Sequence, residues 1–182
     1  MFRIGIIGAG WIAEKMCDAI APFTDIEIYA IASRTTEKAE AFAAEHNIGK
    51  AYGSYEEMVC DPDIDLVYIA TPHSHHYDHA MLALEHGKPV LVEKAFTANA
   101  RQAEKLIETA RSKGVFITEA IWTRYMPLSH KIKEIMESGI IGEPRILTAT
   151  LCYMMPHKET ISIMKQMDGL RKEWGVKYPY DA

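Results

Sequence analysis

The 182-residue sequence has no block of like charges, and it has no long hydrophobic run. Its formal net charge of -5 offers no electrostatic attraction to nucleic acid or to an anionic membrane. The longest apolar stretch, residues 4–13, is too short to span a bilayer. No basic segment or cleavage site accompanies it, so a signal peptide is not indicated and we expect a cytoplasmic protein.

Cysteine is also scarce. Cys17, Cys60 and Cys152 lie far apart and fit no spacing typical of metal ligands or redox pairs. We therefore expect buried, reduced thiols and no metal site. What remains is an ordinary globular composition with 48% hydrophobic residues, sufficient for one full domain and part of a second.

The first 13 residues carry a glycine-rich turn between an apolar strand and a helix. From position 8 they read G-A-G-W-I-A, the alanine-ended form of the dinucleotide-binding fingerprint. Gly8 allows a sharp turn, Gly10 leaves room for a pyrophosphate, and Ala13 lets the helix pack closely on the strand. Two glycines can also be only a turn. Their context favours a nucleotide site, and we expect Gly8, Gly10, Trp11 and Ile12 to bind the cofactor.

Strands alternate with helices along most of the chain. The patterns predict strands over residues 2–7, 26–32, 50–52, 65–70, 89–92 and 115–118, and helices over 11–21, 36–46, 55–59 and 76–86, followed by a long helix that Gly114 ends. The inward face of the last helix is predicted to be Ala100, Ala103, Leu106, Ile107 and Ala110. This alternation predicts an α/β fold with a Rossmann-type doubly wound parallel sheet, whose ligands lie beyond the carboxyl ends of the strands.

The organisation changes after residue 121. Leu128, Ile132, Ile135 and Met136 are spaced as on an amphipathic helix, and residues 145–153 resemble a long strand that could open a second sheet. From residue 154 the pattern is only loosely helical. Because such a strand has exposed edges, we expect a homo-oligomer or a poorly ordered C-terminus.

Ser33 and Arg34 follow the second strand. An NAD-preferring site would place an acid there, about 20 residues past the glycines, to bind the ribose hydroxyls. A hydroxyl and a guanidinium instead suit a 2′-phosphate, so we expect NADP rather than NAD. Arg34 could also be a solvated loop residue, and Glu37 could still serve the ribose.

The fourth strand ends in a histidine-rich loop. Thr71 and Pro72 are expected to line the cofactor. His75 and His79 are four residues apart and could share a helix face as metal ligands, but no further ligand set accompanies them. Ser74 or His75 could instead cap the next helix.

Glu93 and Lys94 end the fifth strand. Oxidation of an alcohol by nicotinamide requires loss of the hydroxyl proton, which Lys94 could accept, or the developing alkoxide, which it could stabilise. Burial and an adjacent oxidised nicotinamide would both favour the neutral amine. The alternative is a surface lysine paired with Glu93.

These residues together resemble the glucose-fructose oxidoreductase, inositol dehydrogenase and rhizopine-catabolism oxidoreductase family. The match runs from residue 1 to about residue 153 and rests on residues 8–13, 32–34, 70–72, 76, 87–94 and 119–125. The resemblance implies NADP-linked oxidation or reduction of sugars, polyols or cyclic diols, with Lys94 as the catalytic residue. It also implies cofactor contacts from His73, His76 and Glu93.

Residues 119–125 are most similar to the dihydrodiol dehydrogenase branch, in which the segment matching Trp122 and Arg124 lies over the nicotinamide. Ala95 stands where the family usually has proline, so we expect a trans Lys94–Ala95 bond, because a cis bond before another residue costs about 3 kcal/mol.

The family's second domain has a glycine-rich segment that bears an aspartate, and nothing in residues 154–182 matches it. We therefore expect a NAD(P)-binding domain over 1–121, and a linker helix with the incomplete start of a substrate domain over 122–182. A non-catalytic NAD(P)-binding sensor is the alternative function. The chain could also be part of a longer parent protein.

Overall fold

The computed structural model describes residues 1–148 and residue 150, and it confirms the doubly wound parallel sheet. All six described strands pair in parallel, in the order β3-β2-β1-β4-β5-β6. They are β1 (Phe2–Ile7), β2 (Ile26–Ala32), β3 (Lys50–Tyr52), β4 (Leu66–Ile69), β5 (Val90–Val92) and β6 (Ile117–Glu119). The strand order reverses between β1 and β4, where a ligand crevice is expected.

Helices connect the strands. They are α1 (Trp11–Ile20), α2 (Thr36–His46), α3 (Tyr55–Val59), α4 (His76–Glu85) and α5 (Ala100–Lys113), and α6 (Pro127–Glu137) follows the sheet. Short 3₁₀ helices cover His73–His75 and Trp122–Tyr125. The chain divides into two units after Ile132, and the domain boundary expected after residue 121 stays a prediction.

The sheet buries apolar side chains on both faces, as a parallel sheet requires. Successive residues of β1 alternate between them: Ile6 packs with Ala13 of α1 and Phe42 of α2, whereas Ile7 packs with Leu84 of α4 and Leu106 of α5. Helices α1 and α2 therefore cover one face, and α3, α4 and α5 cover the other.

Two details of the α5 region differ from the sequence prediction. Ala100 and Ile107 are exposed, because the buried stripe of α5 is the narrower pair Leu106 and Ala110. Strand β6 starts at Ile117 rather than at residue 115. The amide of Val115 bonds the carbonyl of Ala110, so Val115 belongs to the capped end of α5 rather than to the strand.

The strand expected at residues 145–153 is not found among the described residues of that segment. Residues 145–148 form no strand, and Ile146 and Leu147 are 88% and 79% exposed. A strand needs a neighbour for its backbone hydrogen bonds, and none pairs with this segment among the described residues. The rest of that predicted strand, Cys152 and the loosely helical segment lie outside the described residues.

Helix α6 forms over the predicted residues, but its apolar side chains are exposed. Leu128, Ile132, Ile135 and Met136 are 38–63% exposed. No helix in the described part of the chain combines the length and the apolar character needed to cross a membrane.

Candidate cofactor cleft

A cleft of about 470 Å³ opens at the carboxyl ends of β1, β2 and β4. Eight of the sequence-predicted cofactor residues line it: Gly8, Gly10, Trp11, Ile12, Ser33, Arg34, Thr71 and Pro72. The loops that carry them are joined by main-chain hydrogen bonds, from Gly8 to Ala32 and from Ala70 to Ile7, each 2.9 Å long. The cleft is therefore built on three adjacent strand ends.

The two glycines of the turn have different structural tasks. Gly8 has a φ of +106°, and a Cβ there would lie 2.9 Å from Thr71 Cγ2 and 3.0 Å from the Ala70 carbonyl oxygen. Gly8 is thus required by the fold itself. A Cβ on Gly10 would meet nothing within 4 Å, so the space above Gly10 is open to a ligand.

The N-terminus of α1 provides donors for an anion. Its N-cap residue is Gly10, which has no side chain to accept hydrogen bonds from the first turn. The leading N–H groups, which belong to Trp11 and Ile12 beside the cleft, are available to a phosphate. The open space and these donors together fit the pyrophosphate of a dinucleotide.

The end of β2 gives the cleft a positive side. Ser33 is buried, and its amide bonds the Tyr52 carbonyl at 3.0 Å, whereas the exposed Arg34 lines the cleft. Lys38, in the first turn of α2, also lines the cleft. The sequence analysis did not identify Lys38, although a second basic residue four positions after Arg34 was a signal for it. Glu37 is not among the lining residues, so the ribose role considered for it finds no support there.

An aromatic and imidazole wall faces these cations. Tyr55, His75 and His79 line the cleft, and the sequence did not indicate a cofactor role for any of them. His79 Nδ1 lies 3.0 Å from Thr71 Oγ1, and its ring packs edge-on against Tyr55 at a centroid distance of 4.6 Å. Burial, followed by the neighbouring His75, lowers the pKa of His79. A neutral imidazole is thereby favoured at this wall.

The end of β5 holds Glu93 by its side chain and Lys94 by its main chain. Tyr68 donates its hydroxyl proton to Glu93 Oε1 at 2.6 Å, and burial together with this bond raises the pKa of Tyr68. Glu93 Oε2 accepts from the main-chain N–H of Lys94 at 3.1 Å. Both oxygens of the Glu93 carboxylate therefore accept hydrogen bonds from groups other than the Lys94 ammonium. Lys94 is exposed, so the burial expected for it is not found among the described residues.

The expected trans bond after Lys94 is wrong, because the Lys94–Ala95 peptide is cis. Histidine rings hold the carbonyl groups on both sides of it. His73 Nε2 donates to the Lys94 carbonyl at 2.8 Å, and His76 Nδ1 lies 2.8 Å from the Ala95 carbonyl. The fully buried His76 also contacts the Thr71 carbonyl through Nε2 at 2.8 Å. His73 and His76 thus fix the loop that carries Lys94, and they do not line the cleft.

Glu93 and Trp122 line a separate, mainly apolar groove of about 340 Å³ between α1 and β5. Ile12 is shared by this groove and the cleft. Trp122 is 56% exposed, and the neighbouring Tyr125 hydroxyl lies 3.0 Å from Thr118 Oγ1. Arg124 lines neither space. The described structure therefore does not bring the predicted nicotinamide residues into a single pocket.

The thiol predictions are corrected for the cysteines that the structure describes. Cys60, the C-cap residue of α3, is exposed rather than buried. Cys17 is half-buried in α1, and burial raises its pKa to about 11.

A comparison with family models matches residues 2–120 to the oxidoreductase family with an NAD-binding Rossmann fold. The matched residues contain every strand and turn that builds the cleft. This chain is a member of that oxidoreductase family. The resemblance inferred from the sequence motifs is confirmed.

Two curated relatives of this family member are dehydrogenases. The chain is 51% identical over 150 residues to D-xylose 1-dehydrogenase (NADP(+)) of Hypocrea jecorina, which covers 76% of this chain and 38% of the relative. It is 37% identical over 176 residues to trans-1,2-dihydrobenzene-1,2-diol dehydrogenase of Mus musculus, which covers 96% of this chain and 53% of the relative. The chain thus spans about half the length of the relatives it matches, or less.

Solved structures of oxidoreductases share the fold. An NAD binding oxidoreductase from Klebsiella pneumoniae matches with a TM-score of 0.74 and 35% identity, covering 79% of this chain and 40% of that one. A 3-ketoreductase from Actinomadura kijaniata, solved in complex with TDP-benzene and NADP, matches with a TM-score of 0.69 and 31% identity, covering 78% and 45%.

Proposed function

We propose that this chain provides the NADP-binding part of a dehydrogenase that acts on CH–OH groups of sugars, polyols or cyclic diols. One observation carries the cofactor choice: Ser33, Arg34 and Lys38 line the cleft, and no described lining residue is acidic. A 2′-phosphate would gain charge-assisted hydrogen bonds from this side, with no carboxylate there to repel it. The NADP-linked relatives support the same choice.

The residues around the cleft have separable roles in this proposal. The α1 N-terminus and Gly10 hold the pyrophosphate, and Arg34 with Lys38 holds the 2′-phosphate. Bound NADP would accept a hydride from the substrate carbon, or NADPH would give one. Lys94 takes or returns the hydroxyl proton, and His73 and His76 position its loop.

The substrate class rests on the names of the relatives, one acting on a pentose and the other on a cyclic diol. Exposed Trp122 and Arg124 remain candidates for covering the nicotinamide. The homo-oligomer and the cytoplasmic location also stay predictions.

Calorimetric titration with NADPH and NADH tests the cofactor assignment. NADPH should bind more tightly, and Arg34→Ala should weaken NADPH binding about 10- to 100-fold while leaving NADH nearly unchanged, because only NADPH carries the 2′-phosphate. Arg101→Ala, at an exposed arginine of α5 outside the cleft, is the matched control. Tighter binding of NADH, or equal losses for both cofactors, would contradict the assignment.

Turnover of D-xylose or a trans-dihydrodiol with NADP, by the wild type and by Lys94→Ala, tests the proton-transfer role. Lys94→Ala should lower kcat by about 100-fold or more while NADPH affinity stays unchanged, as expected for loss of an acid or base. An unchanged kcat in Lys94→Ala would contradict the proton-transfer role.

A further inference from the structure

Three side chains of types that can bind a metal ion lie close together at the C-terminal ends of α3 and α4, away from the cofactor cleft. Glu56 lies in α3, Cys60 caps the C-terminus of α3, and His86 caps the C-terminus of α4. One ligand atom from each residue lies within 4.8 Å of the other two. Sequence spacing did not reveal this set because His86 is 26 residues beyond Cys60 in the chain.

The orientation of His86 is the observation that points to a cation. Its Nδ1 lies 2.9 Å from the Leu82 carbonyl oxygen, which can only accept a hydrogen bond, so Nδ1 carries a proton. Its Nε2 faces Glu56 Oε1 at 3.0 Å. In the neutral ring, His86 Nε2 and Glu56 Oε1 are both hydrogen-bond acceptors. Their close contact therefore requires either a second proton on the ring or a metal ion between them. A histidine whose other nitrogen is fixed by a carbonyl group is the usual arrangement of a metal ligand.

The donor set and its spacing suit zinc. Zinc binds carboxylate oxygen and imidazole nitrogen at about 2.0–2.2 Å and thiolate sulfur at about 2.3 Å, so tetrahedral ligand atoms lie roughly 3.3–3.8 Å apart. His86 Nε2 lies 3.0 Å from Glu56 Oε1, and one ligand atom from each of the three residues lies within 4.8 Å of the other two, so these limits bracket the tetrahedral range. Magnesium and calcium prefer oxygen ligands alone, so a thiol and an imidazole disfavour them.

The two helix ends are fixed relative to each other before any ion binds. Met58 and Val59 of α3 and Leu84 of α4 are fully buried in one core cluster. Lys88, two residues after His86, donates to the carbonyls of Asp61 at 2.6 Å and Ile64 at 2.9 Å. This bridge joins the segment after α3 to the segment after α4, so little ordering is needed on binding.

We propose that Glu56, Cys60 and His86 form a zinc site, with water as the fourth ligand. Glu56 is 59% and His86 28% exposed at the side chain, and Cys60 is exposed, so an ion reaches the site from solvent. Bound zinc links α3 to α4. Because the site does not use the cleft residues, the proposal is independent of the proposed NADP function.

The test is a titration of the reduced 182-residue chain with Zn²⁺, with a chromophoric chelator as competitor. One zinc ion should bind per chain, and Cys60→Ser and His86→Gln should each weaken the affinity roughly tenfold or more. The double variant Cys17→Ser/Cys152→Ser, which removes the other two thiols, should bind zinc like the wild type. Co²⁺ should give a thiolate-to-metal absorption band in that control and not in Cys60→Ser.

Circular dichroism serves to check that each variant is folded. The near-isosteric Glu56→Gln, on an exposed side chain, is a third ligand variant. The proposal is overturned if the wild-type chain binds no stoichiometric zinc, which would mean that a second proton alone satisfies His86. It is equally overturned if Cys60→Ser and His86→Gln retain full affinity while His79→Gln loses it, since the ion would then sit in the histidine wall of the cleft.

Discussion

Gly8 and Gly10 lie two positions apart in one turn, but their surroundings differ. A residue with a side chain would be strained at position 8. The φ of Gly8 is +106°, and a Cβ there would lie 3.0 Å from the Ala70 carbonyl oxygen. Gly10 has an extended φ of -134° and open space beside it. The sharp turn predicted at Gly8 is confirmed by its positive φ, whereas the pyrophosphate contact predicted at Gly10 stays a prediction.

Alanine substitutions should separate these two roles. Gly8→Ala should lower the free energy of unfolding by about 2 kcal/mol and the Tm by roughly 4–8 °C, because the new Cβ forces a strained backbone against Ala70. Gly10→Ala should leave the Tm almost unchanged but weaken NADPH binding about tenfold or more, because its methyl group occupies the space open to a pyrophosphate. Thermal unfolding and calorimetry on both variants measure this. A stable Gly8→Ala, or a Gly10→Ala that binds normally, would contradict it.

At the scale of elements, a buried carboxylate joins β3 to the turn after α3. Asp61 is 4% exposed at the side chain and accepts from Lys50 Nζ at 2.7 Å and from the Tyr52 hydroxyl at 2.6 Å. Its second oxygen accepts from the Asp63 amide at 2.9 Å. Burial alone would raise the pKa of Asp61, but these hydrogen bonds outweigh it and hold the pKa at about 2. The charged form therefore stabilises the fold.

This pKa predicts a specific pH dependence. The carboxylate has an ordinary pKa of 3.8, so its contribution of roughly 2 kcal/mol is complete above about pH 4 and is lost as pH falls toward 2. Asp61→Asn should be less stable at neutral pH and should lack that part of the acid dependence. Urea unfolding from pH 7 to pH 2.5 measures both, with Asp25→Asn at an exposed carboxylate as control. Parallel acid profiles for Asp61→Asn and wild type would contradict the prediction.

At the scale of the whole molecule, the cleft and both core clusters lie within the first 120 residues. Arg145 is far from them in the chain. Its only described ion pair is with the equally exposed Glu143 at 2.7 Å, and residues 145–148 have no helix or strand. Nucleotide binding should therefore not depend on an intact backbone at Arg145.

Limited trypsin digestion tests this separation. Among the described basic residues, Arg145 should be cut before Arg101 and Lys113, because those two lie within the regular hydrogen bonding of α5. The fragment ending at Arg145 should keep the NADPH affinity of the intact chain. Mass spectrometry identifies the cut, and calorimetry measures the affinity. Early cleavage within α5, or loss of binding by the fragment, would contradict this division.

Local patterns in the sequence determined most of the first unit. Alternation and end signals predict β1, β2, β3, α2 and α3 with their observed bounds, because burial on a parallel sheet requires apolar runs and helix ends require specific capping residues. The same signals failed at residues 145–148. A strand depends on a neighbour that its own sequence does not specify.

The sequence by itself also determined the glycine turn and the Ser33–Arg34 pair, since both follow their strands directly. Only the tertiary structure decided which distant side chains join them. It brings Lys38 and Tyr55 to the cleft, aims His73 and His76 at the loop of Lys94, and gathers Glu56, Cys60 and His86. The physical reason is that local sequence pattern determines on which face of a helix or strand a side chain lies. The crossover connections and the packing of the helices determine which residues that face contacts.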